Sequence, residues 1–560
     1  MWYTRHFGLT RSSISKTHRC ENAREEIERP VMADKIWVYD TTLRDGAQSS
    51  GVSFSLEDKL AIARELDAIG IDYIEGGYAV SNPKEMAFFE EVRKLNLKHS
   101  RVAAFGNTRR ANTKAEDDPS LRAILQADTP TVTLVGKTWD LHVEVVLKTT
   151  LEENLQMIRD SVAFMKEAGK EVIFDAEHFF DGYKENSEYA QACLKAAEEA
   201  GTDCLVLCDT NGGALTRLVS RVTAEVVAKS KTPVGIHVHN DSDLATANTL
   251  TAVENGAVHV QGTINGIVER TGNADLCAII ANLSLKMGYD VLPDEYVRKL
   301  TELSRYLYEV ANLIPRESQP FVGINAFAHK AGLHVNAVLK SKRTYEHIEP
   351  ETVGNERRVL ISELSGRSNV MAKTGYDKLL ADPKNVKEVL EAVQNLENEG
   401  YQFETAEASF ELLVSKTTGR FKPHFELDKF TVMVDKRAGD TGMPLTEATV
   451  KLRVNGELEH TASEGNGPVN ALDGALRKAL ERFYPSLGAV RLIDFKVRVV
   501  NPRAATEARV RVVIESRDHD SIWGTVGVSE NIIEASWLAL VDSIEYKLMK
   551  DERQAAKESQ

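Results

Sequence analysis

KIWVYD (35–40), IDYIEGG (71–77), RVAAFG (101–106), TVTLVGK (131–137), EVIFDAE (171–177), DCLVLCDT (203–210), VGIHVHN (234–240) and HVQGTING (259–266) are eight short runs rich in β-branched and apolar residues. Such runs suit strands that are covered on both faces. Their starts fall about 25–40 residues apart, the length of one strand-plus-helix unit. The stretches between them carry apolar residues at helical spacing. In LEDKLAIARELDAIG (56–70), Leu56, Leu60, Ile62, Ala63, Leu66 and Ile69 fall near one stripe and Gly70 can close the helix. LEENLQMIRDSVAFMKEAG (151–169) repeats the pattern and also ends on glycine. Eight such units in a row predict an α/β chain with a (β/α)8 barrel over residues 34–300. The alternative is a doubly wound open sheet. It would ordinarily stop at about five to seven strands and carry GxGxxG after its first strand, which is missing here.

At 560 residues the chain exceeds one core, so further domains must follow the barrel. The 69 basic and 84 acidic residues leave a net charge of −15. That balance argues against a nucleic-acid partner or an anionic membrane surface, both of which want a basic patch. No apolar run approaches the roughly 18 residues of a membrane-spanning helix. The five cysteines (Cys20, Cys193, Cys204, Cys208 and Cys277) show no CxxC spacing and fit a reducing, cytoplasmic setting. Residues 1–33 read differently from the rest. Up to Cys20 they carry Arg5, Arg11, Lys16 and Arg19 and no acid, without the apolar segment of a secretory signal. They are expected to be a disordered extension or a stretch upstream of a true start at Met32, with organelle targeting the lesser reading.

A barrel of this kind carries its chemistry at the C-terminal ends of its strands. Polar residues gather there. The first strand ends in DTTLRDGAQ, the second in EGG, the fifth in DAEH, the sixth in DTNGG and the seventh in HVHND; the eighth runs into NGIVERTGNAD. Residues i and i+2 of a strand share a face, so His237 and His239 aim two imidazoles at one point. Alone an HxH pair says little, and two rim histidines would read the same way. Asp45 after the first strand adds a carboxylate, and Asn273 after the eighth adds an amide oxygen. Strands one, seven and eight adjoin in a closed barrel, so the four side chains can converge. Two nitrogens and two oxygens favour a divalent ion such as Mg, Mn, Zn, Co or Fe, with positions left open for substrate. The lack of thiolates argues against a closed structural zinc site.

YDTTLRDGAQ, IEGG, IHVHND and ERTGNADL, in that order, resemble the metal-dependent barrel superfamily of 2-isopropylmalate synthase, homocitrate synthase, citramalate synthase and the HMG-CoA lyases. IEGGYAVSNPKE, FDAEHFFDGYK and LCDTNGG are most similar to the long-form citramalate synthases. The resemblance spans about residues 35 to 550. It implies condensation of acetyl-CoA, as co-substrate, with a 2-oxo acid. That acid is pyruvate for citramalate, 2-oxoisovalerate for 2-isopropylmalate or 2-oxoglutarate for homocitrate. A lyase of the HMG-CoA type is the lesser alternative, since the lyases lack the C-terminal domain. The superfamily's Asp-Arg-Glu signature maps onto Asp45, Arg44 and Glu75. Arg44 would hydrogen-bond the oxygen on which charge develops, an electrostatic role that suits a group that keeps its proton. Glu75 would orient Arg44, or form a plain structural ion pair. The resemblance places Thr210 at the 2-oxo acid carboxylate and Glu177 near the acetyl group; Gln48, in the rim loop of Arg44 and Asp45, is expected to assist substrate binding. Tyr78 departs from the Trp of many relatives and bears on the 2-oxo acid pocket.

Deprotonating the acetyl methyl needs a base. NAFAHKAGLHVNAVLK (325–340) lies beyond the barrel and matches a segment that, in the resembling synthases, reaches the partner's active site in a homodimer. His334 and then His329 are its candidates, with a metal-held water as the alternative. Residues 301–402 are expected to form a mostly helical linker subdomain, and VGNERRVLISELSGRSNV (353–370) resembles the synthases' own. Residues 403–550 read as a duplicated α+β domain, with 551–560 as a tail. FTVMVD, EATVKLRVNG, a glycine-rich turn and the helix VNALDGALRKALERF form one half. FKVRVV, EARVRVVIES, WGTVGVS and IIEASWLALVDSIEYKLM form the other, offset by roughly 60–65 residues. Ala448, Val450, Leu452 and Val454, and Ala508, Val510, Val512 and Ile514, mark the apolar faces. The halves resemble the synthases' regulatory and dimerising domain, which implies isoleucine as effector if the substrate is pyruvate.

Overall fold

The structure, a computed structural model, describes residues 35–79, 83–360, 382–436, 444–500 and 508–558. The N-terminal extension, residues 80–82 of IEGGYAVSNPKE and residues 361–370 of the linker motif lie outside the described residues. The chain divides into two compact units, one ending at Pro293 and one beginning at Asp294.

The first unit is a closed parallel barrel of eight strands: β1 (Trp37–Asp40), β2 (Tyr73–Tyr78), β3 (Arg101–Asn107), β4 (Thr131–Lys137), β5 (Glu171–Glu177), β6 (Cys204–Asp209), β7 (Val234–Val238) and β8 (His259–Gly262). Each strand pairs with the next in sequence, and β8 closes on β1 with Val38 opposite Val260. The outward residues Val38, Ile74, Val132, Leu134, Val172, Phe174, Leu205, Leu207, Ile236 and Val260 are buried under the helical ring. The inward residues Tyr39, Tyr73, Ala103, Ile173, Cys204, Val206 and Cys208 pack on one another to fill the cylinder. Both faces are covered, so the strands read as continuous apolar runs rather than as alternation.

Local chemistry sets the helix ends. Ser55 and Asp58 form a reciprocal capping box before Leu56–Ala68. Thr150 caps Leu151–Glu167, which ends just before Gly169 in the left-handed region. Among the described residues no helix is long and apolar enough to cross a membrane.

In the second unit the described part of the linker combines helices with turns. Among its described residues are the helices Leu300–Val310, Gly332–Lys340 and Pro383–Glu399 and a two-stranded parallel pair, β9 (Ala328–His329) and β10 (Arg358–Val359). Pro315, Pro320 and Gly323 interrupt any helix between the first two. Two antiparallel three-stranded sheets follow: β11 (Glu426–Asp435), β12 (Leu445–Val454) and β13 (Glu457–Gly465), then β14 (Arg491–Val499), β15 (Val510–Arg517) and β16 (Ile522–Ser529). Each sheet is followed by a helix, Pro468–Leu480 and Ile532–Glu558, and the halves share one core. β13 corrects the sequence reading, which put a glycine-rich turn there. ELEHTASEG has no apolar alternation because its exposure merely alternates between full and partial, yet it pairs with β12 along its whole length. The expected tail is helical through Glu558, tied by Lys547–Asp551 and Arg553–Glu411 ion pairs.

Candidate active site

The rim of the barrel gathers the ionisable side chains. β7 points His237 inward, and His239 follows two residues later on the same side. Their Nε2 atoms are 3.3 Å apart. Asp45, in the turn after β1, brings Oδ2 to 3.6 Å from His237 Nε2 and 3.9 Å from His239 Nε2. All three side chains are buried, and they form a cluster able to hold a metal ion.

Electrostatics leave these groups in the state that a metal demands. Burial raises the Asp45 carboxyl, but its charged neighbours, Arg44 foremost, outweigh it and hold it below the usual carboxylate range. Burial keeps His237 below its ordinary value, although Asp45 opposes it. Burial and then His237 push His239 down to about 3. At neutral pH the cluster is therefore one carboxylate and two uncharged imidazoles. This donor set fits a divalent ion, with His237, His239 and Asp45 as the holding residues.

Asn273 also reaches the cluster, but not as the sequence suggested. Its Nδ2 donates to Asp45 Oδ2 at 2.8 Å, while its Oδ1 accepts from the Ala274 N–H at 2.6 Å. The neighbouring backbone donor occupies the amide oxygen that was expected to face an ion, so here Asn273 steadies Asp45.

Arg44 stands beside the cluster. Its Nη1 donates to Asp45 Oδ1 at 3.0 Å and its Nε to Glu75 Oε2 at 2.5 Å, and the guanidinium lies 4.0 Å from the centroid of the Phe105 ring. Glu75 is wholly buried at the start of a β2 irregularity, where Tyr39 Oη donates to its Oε1 at 2.9 Å. Burial lifts Glu75 above its usual value even though Arg44 opposes it. Arg44 opens onto a cavity of about 370 Å³ lined by Leu43, Ala47, Gln48, Tyr78, Phe105 and Asn107. Gln48 and Tyr78 thus share a wall with Arg44, and the Tyr78 hydroxyl accepts from Asn107 Nδ2 at 2.8 Å.

Glu177 ends β5 and pairs with Lys137 at the end of β4. Thr210 follows β6. Its Oγ1 accepts from the His178 N–H at 2.9 Å, which leaves its own proton free to donate. His329 and His334 belong to the second unit. His329 is buried with Nε2 3.0 Å from Glu346 Oε1, and Glu346 also holds Arg357. His334 is exposed on Gly332–Lys340 and stacks on Tyr345 at 4.2 Å between centroids.

Sequence reasoning missed Tyr39, Lys137, Asp175 and Gln261. Asp175 Oδ1 accepts from Gln261 Nε2 at 3.0 Å, and Gln261 Oε1 lies 2.9 Å from His237 Nδ1. The available signal was a polar residue at an inward strand position.

Residues 35–307 match the HMGL-like family, 321–401 the homocitrate synthase post-HMGL domain-like family and 404–548 the LeuA allosteric (dimerisation) domain. The (R)-citramalate synthase of Aquifex aeolicus is 55% identical over 93% of this chain and 99% of its own length. The chain belongs to the (R)-citramalate synthase family. The family's Geobacter sulfurreducens member is 53% identical over 92% of this chain and 98% of its own. Five curated relatives that carry this name are 46% to 55% identical to the chain. A solved HMG-CoA lyase from Pseudomonas aeruginosa covers 50% of this chain and 94% of its own, at 17% identity and a TM-score of 0.42.

Proposed function

We propose that the chain condenses acetyl-CoA with pyruvate and water to give (R)-citramalate and CoA, the entry into an isoleucine route. The observation that carries this reading is the convergence of Asp45, His237 and His239 beside Arg44. A divalent ion such as Mg, Mn, Zn or Co would supply Lewis acidity toward the keto group of the 2-oxo acid when bound. The other steps fall to the chain's own side chains. Thr210 donates a hydrogen bond from its hydroxyl to the pyruvate carboxylate, and Gln48 contacts substrate from the cavity wall. A base takes a proton from the acetyl methyl, the resulting carbon bonds to C2 of pyruvate as its carbonyl π bond breaks and the oxygen gains charge, and that oxygen then takes up a proton to become the hydroxyl. Arg44, held by Glu75, faces that oxygen with a fixed cation. Water then cleaves the thioester, and CoA leaves as the thiol. Glu177 serves the acetyl end.

His334 is the favoured base. Its exposure and single ring contact leave it able to reach a substrate, whereas His329 is pinned by Glu346. We further propose a homodimer in which residues 301–402 complete the partner's site, with residues 403–550 binding isoleucine as inhibitor. Asn273 would join the ligands if its amide turned over. The reading places the enzyme in the cytoplasm.

Thiol release with acetyl-CoA and a panel of 2-oxo acids tests the reading. Release with pyruvate, but not with 2-oxoisovalerate or 2-oxoglutarate, is expected. Preference for 2-oxoisovalerate would make the chain a 2-isopropylmalate synthase, and preference for 2-oxoglutarate a homocitrate synthase. Release with none of them, alongside cleavage of an acyl-CoA, would make it a lyase.

A further inference from the structure

Three inward polar residues of the barrel play no part in the condensation proposed above: His259 and Gln261 on β8 and Asp175 on β5. All are buried beside the apolar and aromatic side chains that pack inside the cylinder. A buried polar chain is costly unless every member is satisfied, so its arrangement calls for an explanation.

β7 and β8 run parallel with His237 opposite Gln261, so the two side chains rise from the same inward face. The amide of Gln261 has one accepting end and one donating end. On one side its Nε2 lies 3.0 Å from Asp175 Oδ1 and 3.5 Å from His259 Nε2. On the other side its Oε1 lies 2.9 Å from His237 Nδ1. With a carboxyl oxygen in front of the amide nitrogen, the carbonyl is left for His237 and can only accept. His237 must then carry its proton on Nδ1, and its Nε2 presents a lone pair toward Asp45 Oδ2 and His239 Nε2. The other tautomer would aim an N–H into the cluster and block it as a ligand. His239 has no such support, since its buried Nδ1 has no hydrogen-bond partner among the described residues.

We propose that Gln261, anchored by Asp175, is a positioning residue that fixes the tautomer of His237 so that its Nε2 is ready for a divalent ion. The inference rests on the metal-site reading above, and it assigns Asp175 and Gln261 a task that the reaction itself does not give them. It also makes the two imidazoles unequal, His237 preset and His239 free to choose its tautomer.

Two measurements on the full-length chain, stripped of metal with a chelator, test it. The first is a two-bond ¹⁵N–¹H imidazole spectrum of the wild type, with His237 assigned by comparison with His237→Gln. His237 is expected with its proton on Nδ1. The second is calorimetric titration with Mn²⁺. Gln261→Leu, which removes the acceptor, is expected to weaken binding about 10- to 100-fold. Gln261→Glu, which keeps an accepting oxygen, should stay within a few-fold of the wild type. Asp175→Leu, which frees the amide to rotate, should shift affinity in the same direction as Gln261→Leu.

A wild-type His237 protonated on Nε2 would overturn the proposal. So would a folded Gln261→Leu protein that binds Mn²⁺ as tightly as the wild type. If Gln261→Leu fails to fold, the wild-type spectrum and the Gln261→Glu titration still decide. A wild type that binds no Mn²⁺ would sink the metal-site reading, while the spectrum would still judge the role of Gln261.

Discussion

Replacing Arg44 with alanine separates what this residue does for the reaction from what it does for the fold. The guanidinium joins Asp45 at 3.0 Å, Glu75 at 2.5 Å and the face of Phe105 at 4.0 Å. Removing a single donor aimed at a developing oxyanion costs about 2.7–4 kcal/mol of barrier, so kcat should fall by about 10²–10³-fold. The fold suffers for a different reason. Glu75 is wholly buried and would lose its counter-charge, and breaking a buried pair from one side costs about 3–5 kcal/mol. The loss should sit at the lower end, because burial has already raised the Glu75 carboxyl and it can take up a proton, while the Tyr39 hydroxyl still donates to it. The double variant Arg44→Ala/Glu75→Gln removes the orphaned charge. Thermal or urea unfolding should show it regaining most of the lost stability, whereas thiol release stays as low as in the single variant. Metal content should remain near wild type in both, since Asp45, His237 and His239 are untouched. If Arg44→Ala keeps kcat within tenfold, or if the double variant recovers rate together with stability, the electrostatic role assigned to Arg44 is wrong.

The other expectations concern the metal site, pH and packing. Asp45→Ala and His237→Ala should each lose turnover and copurified metal together, as elemental analysis of the purified proteins would reveal; metal-dependent turnover retained in either would contradict the site. In the second unit, the hydrogen bond to Glu545 raises His424 above its ordinary value although burial opposes it. The charged imidazole therefore stabilises the fold fully below the unfolded histidine value of about 6.5, and this support fades as pH rises through the higher folded value. The difference in Tm between wild type and His424→Gln should shrink from pH 6 to pH 9, and a constant difference would refute the linkage. A Cβ at Gly524 would lie 1.9 Å from the Thr405 carbonyl oxygen, a backbone atom that cannot swing aside. Gly524→Ala should therefore cost about 1–3 kcal/mol in urea unfolding, and an unchanged midpoint would show that this contact is slack.

The barrel was legible because its strands obey one simple rule. β4 and β5 coincide with TVTLVGK and EVIFDAE because strands covered on both faces must be apolar and end where solvent begins. The convergence of Asp45 with His237 and His239 was legible for a related reason: closure makes β1, β7 and β8 neighbours, so sequence distance stops mattering. β13 was hidden because both of its faces stay partly in water, so hydrophobic periodicity had nothing to detect. The stronger signal there was Asn455-Gly456. Both residues have positive φ, 50° and 85°, which is the backbone that a two-residue hairpin requires.

The orientation of Asn273 lay beyond reach for another reason. Which end of an amide faces a site depends on every donor and acceptor around it, and the deciding one was the N–H of the very next residue. Asp175 and Gln261 were overlooked although each is a polar residue at an inward strand position. Their meaning lies in a contact across the cylinder between residues 86 positions apart. An alternation pattern records which face a side chain occupies, and it carries no information about which opposing strand that side chain will meet. A polar residue on an inward position therefore reads as an anomaly in sequence, and it becomes a hydrogen-bond chain reaching His237 only once closure of the barrel supplies its partners.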